Sequence, residues 1–346
     1  MNVACNVYIS AGTPHIYGDT LLHLLETTQE HCREIQFNHD HGQIRSNGEH
    51  SSNANDRTPT AGAAVAVVHA FCDGPYDRSS FHLAGSPHLV ADAVSTLVTR
   101  TVECLNDVQQ LTATRDHAET EAAFTPHPTV GLIDHVSVLP LQNDNVEDGS
   151  YQEVTGEVAK TIGATMQGMG IDVFYYGYAH PDQISLATVR RDKTSFFSQS
   201  DKNRTFLQSR LGQATVGAPS HFTENFNIRL KSNTPKHIAQ SLTRHIRERG
   251  GMGLPFVEAL TLPYSNQRYE VACNLLHPTV ISAQDIIDRI QSWEYKDGDY
   301  IERSYRVGTT AEMCHKALEM TQTTEGEQQH NQHVMERFQG YLYQPP

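Results

Sequence analysis

Residues 222–230, FTENFNIRL, run into residues 234–251, TPKHIAQSLTRHIRERGG, and the change of period between them decides the fold. In the first stretch Phe226, Ile228 and Leu230 alternate with Asn225, Asn227 and Arg229, the two-residue repeat of a strand with one buried face. The second reads as a capped helix. Thr234 is a suitable N-cap, Pro235 suits the first helical position, and Gly250 and Gly251 suit the exit. Two alternating runs follow, FVEALTLPY (256–264) and RYEVACNLL (268–276), which read as a hairpin over SNQ. SAQDIIDRIQSW (282–293) opens on Ser282 with Asp285 three residues on, close to a capping box. DYIERSYRV (299–307) closes the series, which is therefore βαββαβ.

The first half has the same order. VACNVYI (3–9) reads as a strand, GDTLLHLLETTQEHCREI (18–35) as a helix and AAVAVVHAF (63–71) as a buried strand. RSSFHLAG (78–85) alternates, Val90, Val94, Val98 and Leu105 repeat at helical spacing, and TVGLIDHVSVL (129–139) supplies the last strand. A helix over 151–170 and a strand over 171–177 elaborate this half. QFNHDHGQIRSNGEHSSNANDRTPTAG (36–62) is too poor in apolar residues for a core and reads as a polar surface insertion.

The split βαβ order gives an antiparallel sheet with helices on one face and the other face free. The expected fold is α+β: two tandem ferredoxin-like (βαββαβ) subdomains whose sheets face each other across a groove, a favoured place for a small ligand. The boundaries read as 1–195 and 212–310, with a tail at 311–346 in which Val334, Phe338, Tyr341 and Tyr343 form a short docking segment.

With 40 acidic residues against 26 Lys and Arg, the formal charge is −14, and no basic stripe interleaves with aromatics, so nucleic acid and anionic membranes are disfavoured partners. Six scattered cysteines without a C-x-x-C pair suit a reducing compartment. No apolar run approaches the length of a membrane span. The expected location is cytoplasmic, or an organelle. G-x-G-x-x-G, P-loop, H-E-x-x-H and G-x-S-x-G motifs are absent. His39, Asp40 and His41 in NHDHG lack a third anchored ligand, and no metal site is assigned.

Chemistry concentrates around TPHPTVGLIDH (125–135), where Pro126 and Pro128 hold His127 in stiff, extended backbone. Counting in twos puts Thr129, Gly131, Ile133 and His135 on the face of His127, with Asp134 opposite. Gly131 leaves a gap beside the imidazole, as a general base needs; the alternative is a surface histidine in a chain with 20 of them. Asn225, Asn227 and Asn274 occupy polar strand faces that are either solvated or line the groove.

CNVYISAG (5–12), DGPYDRSSFHLAG (73–85), HPTVGLIDHVSVLPL (127–141), VFYYGYA (173–179), GQATVGA (212–218), NFNIRL (225–230), RERGGMG (247–253) and EVACNLL (270–276) together resemble, in order, the glutamate formiminotransferase domain. The resemblance is closest to plant and algal formiminotransferase-like proteins, without the cyclodeaminase half. It implies two ferredoxin-like subdomains, a homodimer, tetrahydrofolate as co-substrate and transfer of a formimino or formyl group between glutamate and N5 of the folate. By this likeness His127 is the catalytic residue, and Asp73, Gly74, Arg78, Tyr176, Gly177, Asn225, Asn227 and Asn274 match motifs around the groove. Gly131 is added to the binding set from its place beside His127. Where the family has an arginine two residues after the histidine, this chain has Thr129, and 198–211 lacks the family's P-D-x-G-P stretch. Either Arg190, Arg191 or Arg204 replaces those contacts, or the pocket has changed its ligand. The alternative function is a non-catalytic folate-binding or structural subunit of a larger assembly.

Overall fold

The computed structural model describes residues 1–47, 63–113, 127–141, 149–197, 211–249, 253–293 and 299–343. In the second half, strands β7 (Glu224–Leu230), β8 (Val257–Tyr264), β9 (Arg268–Leu275) and β10 (Ile301–Arg306) form an antiparallel sheet in the order β10-β7-β9-β8. Helices α5 (Lys236–Ile246) and α6 (Ala283–Gln291) cover one face. Phe226, Ile228 and Leu230 pack there with Ile238, Leu242, Ile246, Ile286 and Ile290, as the alternation requires. The SNQ hairpin turns through Asn266 and Gln267, both left-handed at φ 58° and 57°. The capping box at Ser282 and Asp285 is present.

The expected cap at Thr234 is not. Helix α5 begins one residue later, with Pro235 at its N-cap position and no side-chain cap, and it ends at Ile246 instead of reaching Gly251. Pro235 supplies the missing acceptors through its carbonyl, which takes the N–H groups of Ile238 and Ala239.

In the first half, β1 (Asn2–Ile9), β2 (Val65–Asp73), β3 (Arg78–Gly85) and β4 (Ile133–Leu141) take the order β2-β3-β1-β4, the same permutation as in the second sheet. Two strands, β5 (Asp172–Gly177) and β6 (Gln213–Ala218), extend it in parallel pairing to a six-stranded sheet, β2-β3-β1-β4-β6-β5. The residues from 212 expected to open the second unit therefore belong to the first sheet. Helices α1 (Pro14–Asn47), α2 (Pro87–Ala113) and α3 (Ser150–Gly168) lie over its apolar face. Helix α1 runs past residue 35, so the start of the expected surface insertion is helical; its remainder, 48–62, lies outside the described residues.

The expected tail folds back as α7 (Ala311–Met320) and α8 (Thr324–Tyr343). Val334, Phe338 and Leu342 of α8 enter the first core, whereas Tyr343 is 68% exposed. Helix α7 lays Cys314, Ala317 and Leu318 on the opposite face of the same sheet, against Ala4, Ala66, Ala84 and Leu139. The rest of that face is left to meet the second sheet.

Candidate active site

The two free sheet faces confront each other and enclose a cavity of about 430 Å³, within the usual range for a small-molecule site. Tyr8 crosses the gap: its hydroxyl donates to Asn225 Oδ1 at 2.6 Å, and Asn225 Nδ2 donates to Asn274 Oδ1 at 2.8 Å. The asparagines of the second sheet are thus cavity wall.

Strand β4 reaches the cavity through a bulge. Tyr8 pairs with His135 but Ile9 with Ile133, so Asp134 is an extra residue without a partner across the ladder. The expectation that Asp134 points away from His127 fails for this reason. Its carboxylate is fully buried and accepts from Val130 N–H (2.8 Å), Arg78 Nη2 (2.8 Å) and Arg190 Nη2 (3.2 Å). Burial alone would raise its pKa, but Arg78 and then Arg190 outweigh it, and the group is held at about 2.

His127 is half-buried at the head of this cluster and lines the cavity; Pro126 lies outside the described residues. Its Nδ1 is 2.6 Å from Arg78 Nη1 and 2.7 Å from the Pro128 carbonyl. A guanidinium only donates and a carbonyl only accepts, so these contacts correspond to the two neutral tautomers. With Nδ1–H turned to Pro128, the ring offers the cavity an Nε2 lone pair; with Nδ1 accepting from Arg78, it offers an Nε2–H. Burial, followed by the Arg78 charge, pushes the pKa well below 6.5, which keeps the ring neutral.

A row of aromatic side chains adjoins this cluster. The rings of Tyr8, His135 and Tyr176 stack in series at 5.7 and 5.5 Å, the Tyr176 hydroxyl donates to Ser137 Oγ at 3.0 Å, and His135 Nδ1 meets Thr215 Oγ1 at 2.9 Å. Burial drives His135 down to about 3, so this row is uncharged.

A second charged cluster sits across Tyr76, whose ring lies edge-on to His127 at 5.2 Å and to Tyr264 at 4.9 Å. Arg229 Nε and the Tyr305 hydroxyl donate to Glu270 Oε1 at 2.9 and 2.8 Å, and Asn227 Nδ2 donates to Glu270 Oε2 at 3.3 Å. Asp73 Oδ1 accepts from Tyr76 N–H at 3.1 Å and from the Tyr264 hydroxyl at 3.3 Å. Burial and the nearby Glu270 push Asp73 up to about 7; burial also raises Glu270.

Of the residues expected at the site, His127, Asp73, Arg78 and Tyr176 line the cavity, as do Gly177, Asn225, Asn227 and Asn274. Gly74 is in the turn below it, against Pro14, and does not line it. Gly131 does not either: the space a Cβ would need is filled by the backbone of Gln213 and Leu211, so this glycine admits β6 and leaves no gap for a ligand. Gly177 has φ +57° and its Cβ position is blocked by the Ala218 carbonyl, which makes glycine necessary at the turn that leads to α4 (Leu186–Asp192). From α4, Arg190 reaches Asp134, while Arg191 pairs with Asp192 at the surface and Arg204 lies outside the described residues. Tyr8, Tyr76, Asp134 and Ser137 were not expected at the site, whereas His135 was counted onto the face of His127 and Glu270 onto the polar face of Asn274. Asn6 and Tyr8 alternate with Cys5, Val7 and Ile9, a signal that could have exposed the polar face of β1. Among the described residues no cluster of three His, Cys, Asp or Glu could hold a metal, and no helix is long and apolar enough to cross a membrane.

The chain belongs to the formiminotransferase family: the N-terminal subdomain of the formiminotransferase domain matches residues 48–223. The chain is also 24% identical, over 265 residues, to the formiminotransferase cyclodeaminase-like protein of Arabidopsis thaliana, covering 70% of this chain and 82% of that protein. The family is one of folate-related transferases.

Proposed function

We propose that the protein is a folate-dependent one-carbon transferase that moves a formimino, or formyl, group between glutamate and N5 of tetrahydrofolate. The observation that carries this reading is the neutral His127, whose Nε2 makes no hydrogen bond to the described residues in the cavity between the two sheets. The uncharged aromatic row of Tyr8, His135 and Tyr176 along the cavity wall suits a pteridine ring system. As N5 attacks the formimino carbon, a proton must leave N5 and another must reach the departing glutamate nitrogen. His127, depressed and in its Nδ1–H tautomer, takes the first at Nε2. Asp73, elevated to about 7 and at the cavity wall, supplies the second. Opposite displacement of two neighbouring groups is the usual signature of a divided acid and base.

The test is turnover of N-formimino-L-glutamate with tetrahydrofolate, together with calorimetric titration of 5-formyltetrahydrofolate. His127→Ala is expected to lower kcat by about 100- to 10,000-fold, the usual worth of a positioned base, with the folate Kd and the melting curve preserved. Wild-type protein that binds no folate well above micromolar concentration would end the reading. The homodimer belongs to the same proposal and is checked by light scattering.

A further inference from the structure

Among the described residues the cluster around Asp134 has an excess of positive charge. One carboxylate faces the guanidinium groups of Arg78 and Arg190, and the adjacent His127 is neutral. The other described acids of this region are committed elsewhere: Asp77 accepts from the backbone of Gly12 and Thr13 and from the Thr13 hydroxyl, Asp192 pairs with Arg191, and the charges that weigh most on Asp73 are Glu270 and Arg229. Arg78 and Arg190 expose only 12% and 15% of their side chains, so water screens the surplus poorly. The Arg190 Nε is buried with no partner among the described residues, and its guanidinium lies 4.3 Å over the Phe196 ring. A buried guanidinium that shares one carboxylate with a second arginine and lines a cavity can take a further anion, and its planar fork fits a carboxylate.

We propose that Arg190, together with Arg78, forms a carboxylate subsite that holds the α-carboxylate of the one-carbon donor. The inference rests on the transferase reading above and adds to it the group that selects the donor. Position decides which carboxylate is meant. Arg78 bridges the subsite to His127, so the anion must lie close to the reacting carbon. In an N-formimino α-amino acid, the formimino carbon, nitrogen, Cα and carboxyl carbon are connected like one residue of peptide backbone, a span of roughly 3–4 Å. The carboxylates of the folate tail lie beyond both of its ring systems and do not return to N5. A donor so held has its leaving nitrogen fixed between subsite and His127.

The test compares Arg190→Gln and Arg190→Lys with wild type, measuring the binding and KM of N-formimino-L-glutamate and, separately, the Kd of 5-formyltetrahydrofolate. Arg190→Gln is expected to raise Kd and KM for the donor by about 10- to 100-fold, the value of a hydrogen bond to a charged group, and to change the folate Kd by less than about 3-fold. Arg190→Lys recovers part of the loss, because an ammonium restores charge without the fork. N-formimino-4-aminobutyrate, which lacks the α-carboxylate, is expected to bind wild type as weakly as the glutamate donor binds Arg190→Gln. That comparison needs no variant and stands if Arg190→Gln fails to fold. Equal binding of the two donors by wild type, or equal donor binding by wild type and a folded Arg190→Gln, overturns the proposal. If wild type binds the donor through Arg190 but takes no folate, the transferase reading falls and the subsite remains.

Discussion

The two charged clusters of the cavity are equally dry and hold opposite protonation. Around Asp134 one carboxylate meets two guanidiniums, and its pKa is about 2. Around Asp73 two carboxylates share one guanidinium, that of Arg229, and Asp73 is near 7. Burial pushes both carboxyl groups the same way, so the difference comes from the count of charges each strand register brings together. The fold obtains an ionised anchor and a protonated acid from the same residue type, on either side of a single tyrosine.

Breaking the Asp134 side of this contrast should have the largest effect. Asp134→Asn leaves two buried guanidiniums facing each other with no anion, and removal of one partner from a buried ion pair costs about 3–5 kcal/mol. Urea denaturation at neutral pH measures it. A loss below about 1 kcal/mol would show that water already screens the cluster and that the charge argument is wrong.

The pH dependence of stability tests both sides at once, with opposite signs. Asp73 has a folded value near 7 against an ordinary 3.8, so between these values the folded state holds more protons than the unfolded chain. Stability contributed by Asp73 is therefore present below pH 3.8 and lost as pH rises to 7, by roughly 2–4 kcal/mol for a shift of this size shared with Glu270. Asp134, held at about 2, behaves in reverse: its contribution is complete above pH 3.8 and lost as pH falls to about 2. Asp73→Asn should flatten the descent between pH 4 and 7 and leave the acid limb. If the variant's profile overlays that of wild type over that window, Asp73 is not protonated in the folded protein.

How much of this contrast could be read from the letters depends on how local its causes are. The βαββαβ order was legible because each element carries its own punctuation: alternation in FTENFNIRL, the SNQ turn, the Ser282 box. The confronting polar faces followed from the same alternation, and Asn225, Asn227 and Asn274 do line the cavity. The Asp134 anchor was hidden because Asp134 is itself a bulged residue, set between the partners of Tyr8 and Ile9, and it breaks a count in twos carried along the strand from His127. The role of Gly131 is not legible locally, because the strand that needs its missing Cβ lies some eighty residues ahead and joins the sheet beside β4. The Asp73 acid depends on Glu270 and Arg229 of the other sheet, contacts that no local pattern encodes. The polar end of α1 carries no core signal, since a helix can continue on propensity alone.

Glu270→Gln separates the two causes at work on Asp73. Burial is the larger and persists, while the Glu270 charge is removed and Arg229 loses its carboxylate partner. Both changes favour an ionised Asp73, so its titration should fall below 7 yet stay above 3.8, read by NMR of the carboxyl carbon or from the acid limb of kcat. A titration that stays at 7 would assign the whole displacement to burial.

The smallest effect is expected from Tyr264→Phe. The hydroxyl donates to Asp73 Oδ1 at 3.3 Å, long for an O–H···O bond, so the interaction is weak and its loss should cost less than about 1 kcal/mol. The ring keeps its place, since Arg229 lies 3.9 Å over it and Tyr76 packs edge-on. What changes is the support for the ionised form: a hydroxyl that donates to a carboxylate lowers its pKa, so the variant should titrate above wild type, opposite in direction to Glu270→Gln. Opposite movements in two variants that touch the same carboxyl group from different sides are what a balance of charges and hydrogen bonds requires. Movement of both in the same direction would mean that each substitution merely loosens the sheets and lets water reach Asp73.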